Sequence, residues 1–292
     1  MKFAITGVGG YVARKHLQAI KDLGHEVVAA LDPNDSVGIL DSYFSECEFF
    51  TNYERFDRHL ERLAEAGKGV DYLSICSPNW LHDSHCRLAL RVGAKAICEK
   101  PLVINPANLD LLSGHRLGQV NCILQARLHP DIEGLACSVE DEIETDKVRE
   151  IDLIYYTPRG KWYQRSWKGD EGKSGGIIYN IGIHLLDLLI YCFGECKVIG
   201  IGTYSPTTAR GVLHFKSANV HWSLSTDPKI CIGKTYRQII EDGVTIADLS
   251  TGFEDLHTES YRRILEGNGF TIEDARPAIE LAWKIKEAAR KL

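Results

Sequence analysis

The alternation of short apolar runs with amphipathic stretches over residues 2–124 constrains the fold of this chain more than any other feature. The apolar runs have strand length, and the stretches between them, the last over residues 108–117, have helical spacing of apolar and charged residues. Alternating strands and helices form βαβ units, which build a parallel sheet with helices on both faces. We therefore predict an N-terminal doubly wound α/β domain. The predicted strands are KFAIT, HEVVAAL, DYLSIC, KAIC and VNCIL.

The second half of the chain has a different pattern. From about residue 150, runs such as EIDLIYYT and NVHWSLST alternate apolar and polar residues and follow one another after short turns, which predicts a mainly antiparallel sheet. Helices are expected near 175–193, 257–266 and 271–290. We place the boundary so that residues 1–119 form the first domain and residues 120–292 form a second domain of the α+β class.

Charge and hydropathy limit the possible partners. The formal net charge of −6 argues against nucleic acid and against attraction to an anionic membrane, so small molecules are the expected partners. The start, MKFAITGVGG, enters a strand and a glycine turn, which is not the pattern of a signal peptide. The most apolar long segment, GIHLLDLLIYCF, contains His184 and Asp187 and is too short to span a bilayer.

The cysteines indicate the redox compartment. There are nine of them, an odd number without paired spacing, which favours a reducing cytoplasm. Cys192 and Cys196 could chelate a metal, but no second Cys/His pair with zinc-like spacing accompanies them. We predict no metal site.

The stretch AITGVGGYVARKH joins the first predicted strand to the first helix. Small residues there would let a backbone approach a pyrophosphate, to which the helix N-terminus offers free N–H groups. The usual fingerprint would place a third glycine at position 12, which is Val12, but Gly10 and Ala13 fit a stretched version; a tight turn without a ligand is the alternative. The expected cofactor contacts are Gly7, Gly9, Gly10, Tyr11 and Val12.

Asp32 ends the second predicted strand, in VVAALDPND. A carboxylate at this distance from the glycine turn hydrogen-bonds the adenosine ribose hydroxyls and repels a 2′-phosphate. We therefore predict NAD rather than NADP as the cofactor.

Polar residues follow two later strands, where a parallel sheet binds ligands at its carboxyl edge. KAIC is followed by Glu99, Lys100 and a proline, and DYLSIC by the stretch SPNWLH. These groups should meet near the nicotinamide half of the cofactor. The residues expected there are Ser77, Pro78, Asn79, His82, Glu99 and Lys100.

The EKP motif, SPNWLH one βα unit earlier and the glycine turn together resemble the Gfo/Idh/MocA oxidoreductases, as does GGIIYNIGIHLLD in the second half. The resemblance covers essentially the whole chain. It implies a C-terminal α+β domain with a largely antiparallel sheet, a homodimer or homotetramer, and Lys100 facing the centre of hydride transfer.

Asn180, His184 and Asp187 stand at i, i+4 and i+7 and would share one face of an α-helix that is otherwise apolar. A satisfied core histidine is the alternative to a site. Oxidation of a secondary alcohol needs a base at the hydroxyl, and both Lys100 and His184 are candidates. Asn180 replaces an aspartate of the family and cannot be a base, but it can orient a substrate hydroxyl.

The stretch RGKWYQRSWKGDEGKSGG is locally positive and favours an anionic substrate, with a solvated loop as the alternative. Trp162 and Tyr163 could stack on a sugar or base. Lys173 and Ser174 precede the site helix, whose N-terminal dipole would add to the attraction for an anion.

With GYVARKH, NIGIH and GFEDLHTESYRRILEGNGF, that stretch resembles the WlbA/WbpB branch of the family. This resemblance implies NAD-dependent oxidation of the C3″ hydroxyl of UDP-N-acetylglucosaminuronic acid (UDP-GlcNAcA), for bacterial surface polysaccharides such as O-antigen. Lys100, Asn180 and His184 would surround that hydroxyl. Arg127 and Arg159 would bind carboxylate or phosphate, and 2-oxoglutarate could regenerate NAD⁺ in place.

Three alternatives remain open. Another sugar or inositol dehydrogenase of the same superfamily would not need the cations of the positive stretch. A non-catalytic NAD-sensing regulator would not need Lys100 or His184. A metal hydrolase built on His82 and His85 lacks a third ligand nearby in the sequence.

Overall fold

The computed structural model describes residues 1–113, 118–142 and 147–292. It divides into two compact units. The first comprises Met1–Ile123 and His257–Ala275, and the second comprises Leu124–Leu256 and Arg276–Leu292. The first unit thus takes in a late segment that a single boundary at residue 119 assigns to the second domain.

The strands are β1 Lys2–Thr6, β2 Glu26–Leu31, β3 Glu48–Phe50, β4 Tyr72–Ile75, β5 Lys95–Cys98, β6 Val120–Cys122, β7 Arg149–Tyr156, β8 Val198–Tyr204, β9 Thr208–His214, β10 Ala218–Ser225, β11 Tyr236–Glu241 and β12 Val244–Asp248. The α-helices are α1 Ala13–Asp22, α2 Ile39–Tyr43, α3 Tyr53–Glu65, α4 His82–Arg91, α5 Ala107–Ser113, α6 Pro130–Asp141, α7 Lys161–Arg165, α8 Glu171–Ser174, α9 Ile183–Phe193, α10 Leu256–Leu265 and α11 Ile272–Ala289. The helical stretch predicted over residues 108–117 is described as far as residue 113.

The first unit contains a six-stranded parallel sheet in the order β3-β2-β1-β4-β5-β6. This is the dinucleotide-binding order, and its topological switch point lies between β1 and β4. The predicted parallel sheet is confirmed, with β3 as an added edge strand. Fully buried apolar side chains of β1 and α1, including Phe3, Ile5 and Leu17, pack in one core that fixes the sheet against the helix.

The second unit contains a six-stranded sheet in the order β12-β11-β7-β10-β9-β8. Its pairs are antiparallel except β7 with β10, which run parallel from Arg149 to Tyr156. The prediction of a mainly antiparallel sheet is confirmed. Alternating burial along β7 shows that one face of the sheet is packed and the other is open.

Within the described residues, the helical run Glu171–Phe193 is the one segment long and apolar enough to cross a membrane. It is longer than the apolar stretch considered in the sequence, because α8 and a π-helical turn, Ile178–Gly182, precede α9. In the protein, 78% of its most apolar window is buried, as is usual for the core helix of a globular domain.

Candidate functional site

The turn between β1 and α1 has room for a pyrophosphate because of its glycines. Gly7 has a φ of +74°, and a Cβ atom there would lie 2.5 Å from the carbonyl oxygen of Cys76. The Gly10 N–H donates to the Gly7 carbonyl at 3.0 Å, which closes the turn before α1 begins at Ala13. The glycines at positions 7, 9 and 10 therefore leave a cradle without side chains just before the N-terminus of α1, which suits a phosphate. Tyr11 extends into solvent and is 96% exposed.

Asp32 follows β2 directly, and the glycine turn holds its carboxylate. Its Oδ2 accepts the Gly9 N–H at 2.9 Å, and its Oδ1 accepts the Asn34 N–H at 2.9 Å. The two bonds fix the carboxylate beside the cradle, where a dinucleotide places its adenosine ribose. Gly9, predicted as a cofactor contact, thus also positions Asp32.

The segment after β4 is joined to the segment after β5 through His82. The buried ring of His82 lies between two backbone carbonyls, with Nδ1 2.7 Å from Pro101 O and Nε2 2.7 Å from Ser77 O. Burial lowers the pKa of His82, against the opposing effect of the two carbonyls. Asn79 is also buried, and Pro78 lies between it and Ser77.

The second histidine of the HDSH stretch also bonds within the protein. His85 Nδ1 lies 2.9 Å from Ser77 Oγ and 3.1 Å from Thr6 Oγ1. Burial, with a smaller effect of the nearby His82, lowers the pKa of His85 to about 4. These contacts give both histidines a structural role and do not favour a metal hydrolase.

Glu99, the first residue after β5, lies in a buried hydrogen-bond network. Its Oε1 accepts from His16 Nε2 at 3.0 Å and from His257 Nε2 at 3.2 Å, and its Oε2 accepts the Lys100 N–H at 3.3 Å. Burial alone would raise the pKa of Glu99, but the two histidines outweigh it and hold that pKa well below its usual range. Lys100, which Glu99 helps to position, is half-buried.

A second layer of bonds supports this network. His16 Nδ1 lies 2.7 Å from the Tyr261 hydroxyl, which lies 2.6 Å from Ser74 Oγ. His257 and Tyr261 occupy positions i and i+4 of α10 and therefore share one face of that helix. The possible ligand atoms of His16, Glu99 and His257 lie within 4.8 Å of one another, a spacing that the hydrogen bonds explain.

Sequence reasoning missed His16, His257 and Tyr261 as site residues. His257 and Tyr261 belong to GFEDLHTESY, which served only as a mark of resemblance. A histidine and a tyrosine four residues apart on a helix, both able to hydrogen-bond a buried acid, were the available signal.

In the second unit, Asn180 lies in the π-helical turn Ile178–Gly182. Its side-chain Nδ2 donates to the hydroxyl of the buried Tyr163. His184 follows in the first turn of α9 and is half-buried. The predicted α-helical spacing between Asn180 and His184 is therefore not kept, because one of the two lies in a π turn. Such π turns often occur at functional sites.

Arg127 forms a buried bidentate ion pair with Asp187. The guanidinium donates from Nε to Oδ2 at 3.0 Å and from Nη2 to Oδ1 at 2.6 Å. Its carbon also lies 5.1 Å from the centre of the Tyr191 ring. Two of the guanidinium nitrogens are thus directed at Asp187, and the role of Arg127 in binding substrate stays a prediction.

The positive stretch of the second unit contains aromatic and basic groups in contact. The Arg159 guanidinium lies 5.9 Å from the centre of the Tyr163 ring, and Trp162 is 59% exposed. Lys173 Nζ lies 3.7 Å from an Asp170 carboxylate oxygen. The buried Ser174 hydroxyl donates to the Asp170 carbonyl and accepts the Gly176 N–H. Ser174 therefore also closes the end of α8.

Comparison with known proteins identifies the family. Residues 1–115 match the oxidoreductase family model described as an NAD-binding Rossmann fold, and residues 141–241 match its C-terminal alpha/beta domain. The chain belongs to the Gfo/Idh/MocA oxidoreductase family. Its NAD-binding Rossmann domain, predicted from the glycine turn and Asp32, is thereby confirmed.

Solved structures of this family include a similar protein from Thermus thermophilus, the WlbA (WbpB) dehydrogenase in complex with NAD and UDP-GlcNAcA. It is 45% identical, with a TM-score of 0.90, over 97% of this chain and 93% of that one. Its complex with NAD and alpha-ketoglutarate is also 45% identical, with a TM-score of 0.92, over 98% of this chain and 94% of that one. The predicted resemblance to the WlbA/WbpB branch is confirmed.

A curated relative, a putative UDP-kanosamine synthase oxidoreductase subunit from Amycolatopsis mediterranei, is 26% identical over 208 residues, which are 69% of this chain and 55% of the relative. The chain spans only about half the length of the curated relatives it matches.

Proposed function

We propose that this protein oxidises the C3″ hydroxyl of UDP-GlcNAcA to the 3-keto sugar, with NAD⁺ as hydride acceptor. The observation that carries this proposal is the 45% identity, over nearly the whole chain, to a dehydrogenase solved with both NAD and UDP-GlcNAcA. The glycine cradle and the fixed Asp32 carboxylate suit NAD, and the charge of that carboxylate would repel a 2′-phosphate. Such a product would serve the synthesis of bacterial surface polysaccharides.

The reaction divides into a hydride and a proton. Bound NAD⁺ supplies the acceptor for the hydride that leaves C3″, and a base of this chain takes the hydroxyl proton. Lys100 and His184 are the two candidates for that base. Asn180 would hold the hydroxyl through its amide, which Tyr163 orients.

The anionic parts of the substrate would be bound by the second unit. Arg159 can bind carboxylate or phosphate in bidentate fashion, and Lys173 adds a second positive charge in the same stretch. Trp162 exposes an aromatic face on which a sugar or a base can stack. These groups favour a sugar-nucleotide acid over a neutral sugar or inositol.

We also propose that 2-oxoglutarate can reoxidise the bound cofactor. The hydride of NADH would pass to the keto carbon and a proton to its oxygen, giving 2-hydroxyglutarate and NAD⁺. The similarity to a dehydrogenase solved with NAD and alpha-ketoglutarate supports this step.

The open face of the second sheet is our candidate for a homodimer or homotetramer interface. A groove of about 730 Å³ crosses this face, and its lining includes Gly200, Gly211, Asp152 and Arg210. Size-exclusion chromatography with light scattering should give a dimer or tetramer, and Arg210→Glu should shift the protein towards monomer.

All nine cysteines are free thiols, which supports a cytoplasmic location.

The decisive test is incubation of the purified protein with UDP-GlcNAcA and NAD⁺, with and without 2-oxoglutarate. NADH absorbance and the mass of the sugar nucleotide are followed together. We expect a product two mass units lighter, formed in more than one turnover when 2-oxoglutarate is present. An unchanged sugar mass with intact NAD binding would reject the substrate and direct the search to neutral sugars and inositols.

A further inference from the structure

We propose that the buried carboxylate of Glu99 makes this protein discriminate between the two redox states of its cofactor, binding NAD⁺ more tightly than NADH. The nicotinamide ring carries a positive charge in NAD⁺ and none in NADH. A fixed negative charge beside the ring attracts only the oxidised form. Glu99 is therefore a positioning and electrostatic residue and not the base of the reaction.

The contacts around Glu99 favour an ionised carboxylate. Its Oε2 accepts the backbone N–H of Lys100, and its Oε1 lies 3.0 and 3.2 Å from the Nε2 atoms of His16 and His257, each of which can donate to it. Together these two rings hold the pKa of Glu99 well below its usual range. The side chain is also buried, so water contributes little to screening its charge.

The surrounding histidines can hold this charge as neutral donors. His16 donates from Nε2 and accepts at Nδ1 from the Tyr261 hydroxyl, which can accept in turn from Ser74. His257 donates from Nε2, and its buried Nδ1 has no hydrogen-bond partner among the described residues. A neutral ring leaves only a lone pair at that atom, whereas a charged ring would leave an unpaired N–H. The cluster of Glu99, His16 and His257 thus carries a net negative charge.

The order of the strands places this charge at the nicotinamide end of the cofactor. Asp32, the ribose ligand, follows β2, and Glu99 follows β5, with β1 and β4 between those strands. Three strand spacings separate the two acids, about 14 Å in the plane of the sheet. An extended dinucleotide bound at Asp32 and crossing the glycine turn at the switch point reaches that far with its nicotinamide.

Lys100 follows Glu99 directly along the chain, and a protonated Lys100 would act on the NAD⁺ ring in the opposite sense to the carboxylate. That effect, like the pyrophosphate and ribose contacts, is shared by wild type and Glu99→Gln. The change in the ratio of the two dissociation constants on Glu99→Gln therefore isolates the effect of the carboxylate charge. For a separation of about 8 Å and an effective dielectric constant of about 20, that charge corresponds to a roughly ten- to fifty-fold preference.

The preference has a consequence that rests on the proposed function. A protein that binds NAD⁺ more tightly than NADH makes the bound NADH a stronger hydride donor, by linkage between binding and reduction. Transfer of the hydride to a 2-oxo acid on the same protein then becomes more favourable.

The test is the Kd of NAD⁺ and of NADH, measured by isothermal titration calorimetry on wild-type protein and on Glu99→Gln. We expect wild type to bind NAD⁺ at least tenfold more tightly, and Glu99→Gln to lose most of that ratio. Asp32→Asn is the matched control, since it should weaken both forms by the same factor. An unchanged ratio in Glu99→Gln, or equal affinities in wild type, would overturn the proposal.

The wild-type ratio needs no variant and therefore covers the case in which Glu99→Gln does not fold. Equal Kd values for NAD⁺ and NADH on wild-type protein would by themselves refute the charge effect. No sugar enters these experiments, so their outcome is independent of the substrate assignment.

Discussion

The guanidinium of Arg127 and the carboxylate of Asp187 form a two-point ion pair in the interior of the second unit, at 3.0 and 2.6 Å, with less than a tenth of either side chain exposed. The pair joins the 3₁₀ turn Gln125–Leu128 to α9, the helix that carries His184. The ion pair therefore holds Arg127, a predicted substrate ligand, against the helix that carries His184, a predicted catalytic residue.

Removal of either partner should be strongly destabilising. Arg127→Met or Asp187→Leu leaves an uncompensated buried charge, and we expect each to lower the free energy of unfolding by about 3–5 kcal/mol. The double variant removes both charges and should be closer to wild type. Urea unfolding of wild type, the two single variants and the double variant measures these free energies. Single variants with wild-type stability and a raised KM for the sugar nucleotide would instead make Arg127 mainly a substrate ligand.

The second prediction concerns Gly7, where a Cβ atom would lie 2.5 Å from the Cys76 carbonyl. Gly7→Ala should lose most NAD binding, because the turn must move away from β4 to relieve the contact. Gly24 is a matched control with a φ of +73° and no atom within 4 Å of its Cβ position. Gly24→Ala should cost only about 1–2 kcal/mol of stability for its backbone conformation and leave NAD affinity unchanged. Equal NAD affinities for the two variants would show that the Gly7 turn does not hold the cofactor.

The third prediction tests Asp32 as the selector of NAD. Its carboxylate, fixed by the Gly9 and Asn34 N–H groups, would repel a 2′-phosphate. Asp32→Ser removes that charge, and we expect the ratio of NADP to NAD affinity to rise by roughly tenfold or more. Titration of both dinucleotides checks it, with Asp35→Ser as a control on the same loop. If the ratio stays at its wild-type value, another group excludes NADP.

These predictions differ in how far the sequence alone supports them. The glycine turn, Asp32 and the strand exits at Ser77 and Glu99 follow from local patterns, because strand order places consecutive βα exits at one sheet edge. Strand β3, Glu48–Phe50, was not predicted because three residues are too few to show the alternation of a strand. The parallel pairing of β7 with β10 was not predicted either, because it joins segments that are distant in the sequence.

The network around Glu99 could not be predicted for a different reason. His16 and His257 lie 83 and 158 residues from Glu99 along the chain, and only the folded first unit brings the polar atoms of the three residues together. The π turn at Asn180 is equally invisible, since one extra residue in a turn leaves the apolar pattern of the helix intact.

The fourth prediction concerns pH. The pKa of His85 is lowered to about 4 by burial, while an unfolded chain has a His pKa of about 6.5. The unfolded state therefore binds more protons below pH 6.5, and stability falls as the pH is lowered towards 4, by about 3 kcal/mol in total for this residue. The pKa values of the buried His16 and His82 are lowered as well, which adds to the same slope, whereas Glu99 stays ionised in this window.

Urea unfolding between pH 7 and pH 4 measures that slope. His85→Gln should start less stable at pH 7, because it loses bonds to Ser77 and Thr6, but its stability should fall less steeply on acidification. Parallel curves for His85→Gln and wild type would contradict the assignment.

The fifth prediction separates the two candidates for the base. Loss of a positioned general base lowers kcat by roughly 10²–10⁴-fold, and the pH profile of the variant loses the corresponding ionisation. We therefore compare Lys100→Met and His184→Asn in kcat and in its pH dependence, with the UDP-GlcNAcA test as the assay. The variant that loses both rate and the acidic limb of the profile identifies the base, and the other should retain that limb.

Lys95→Met is the matched control for Lys100, because Lys95 lies at the opposite end of β5 and is exposed. We expect it to keep the wild-type kcat and pH profile. NAD affinity should change little in His184→Asn, since His184 belongs to the second unit, so a lower rate there reports on the sugar and not on the cofactor. Full activity in both Lys100→Met and His184→Asn would exclude both residues as the base and leave a water molecule or an unassigned side chain in that role.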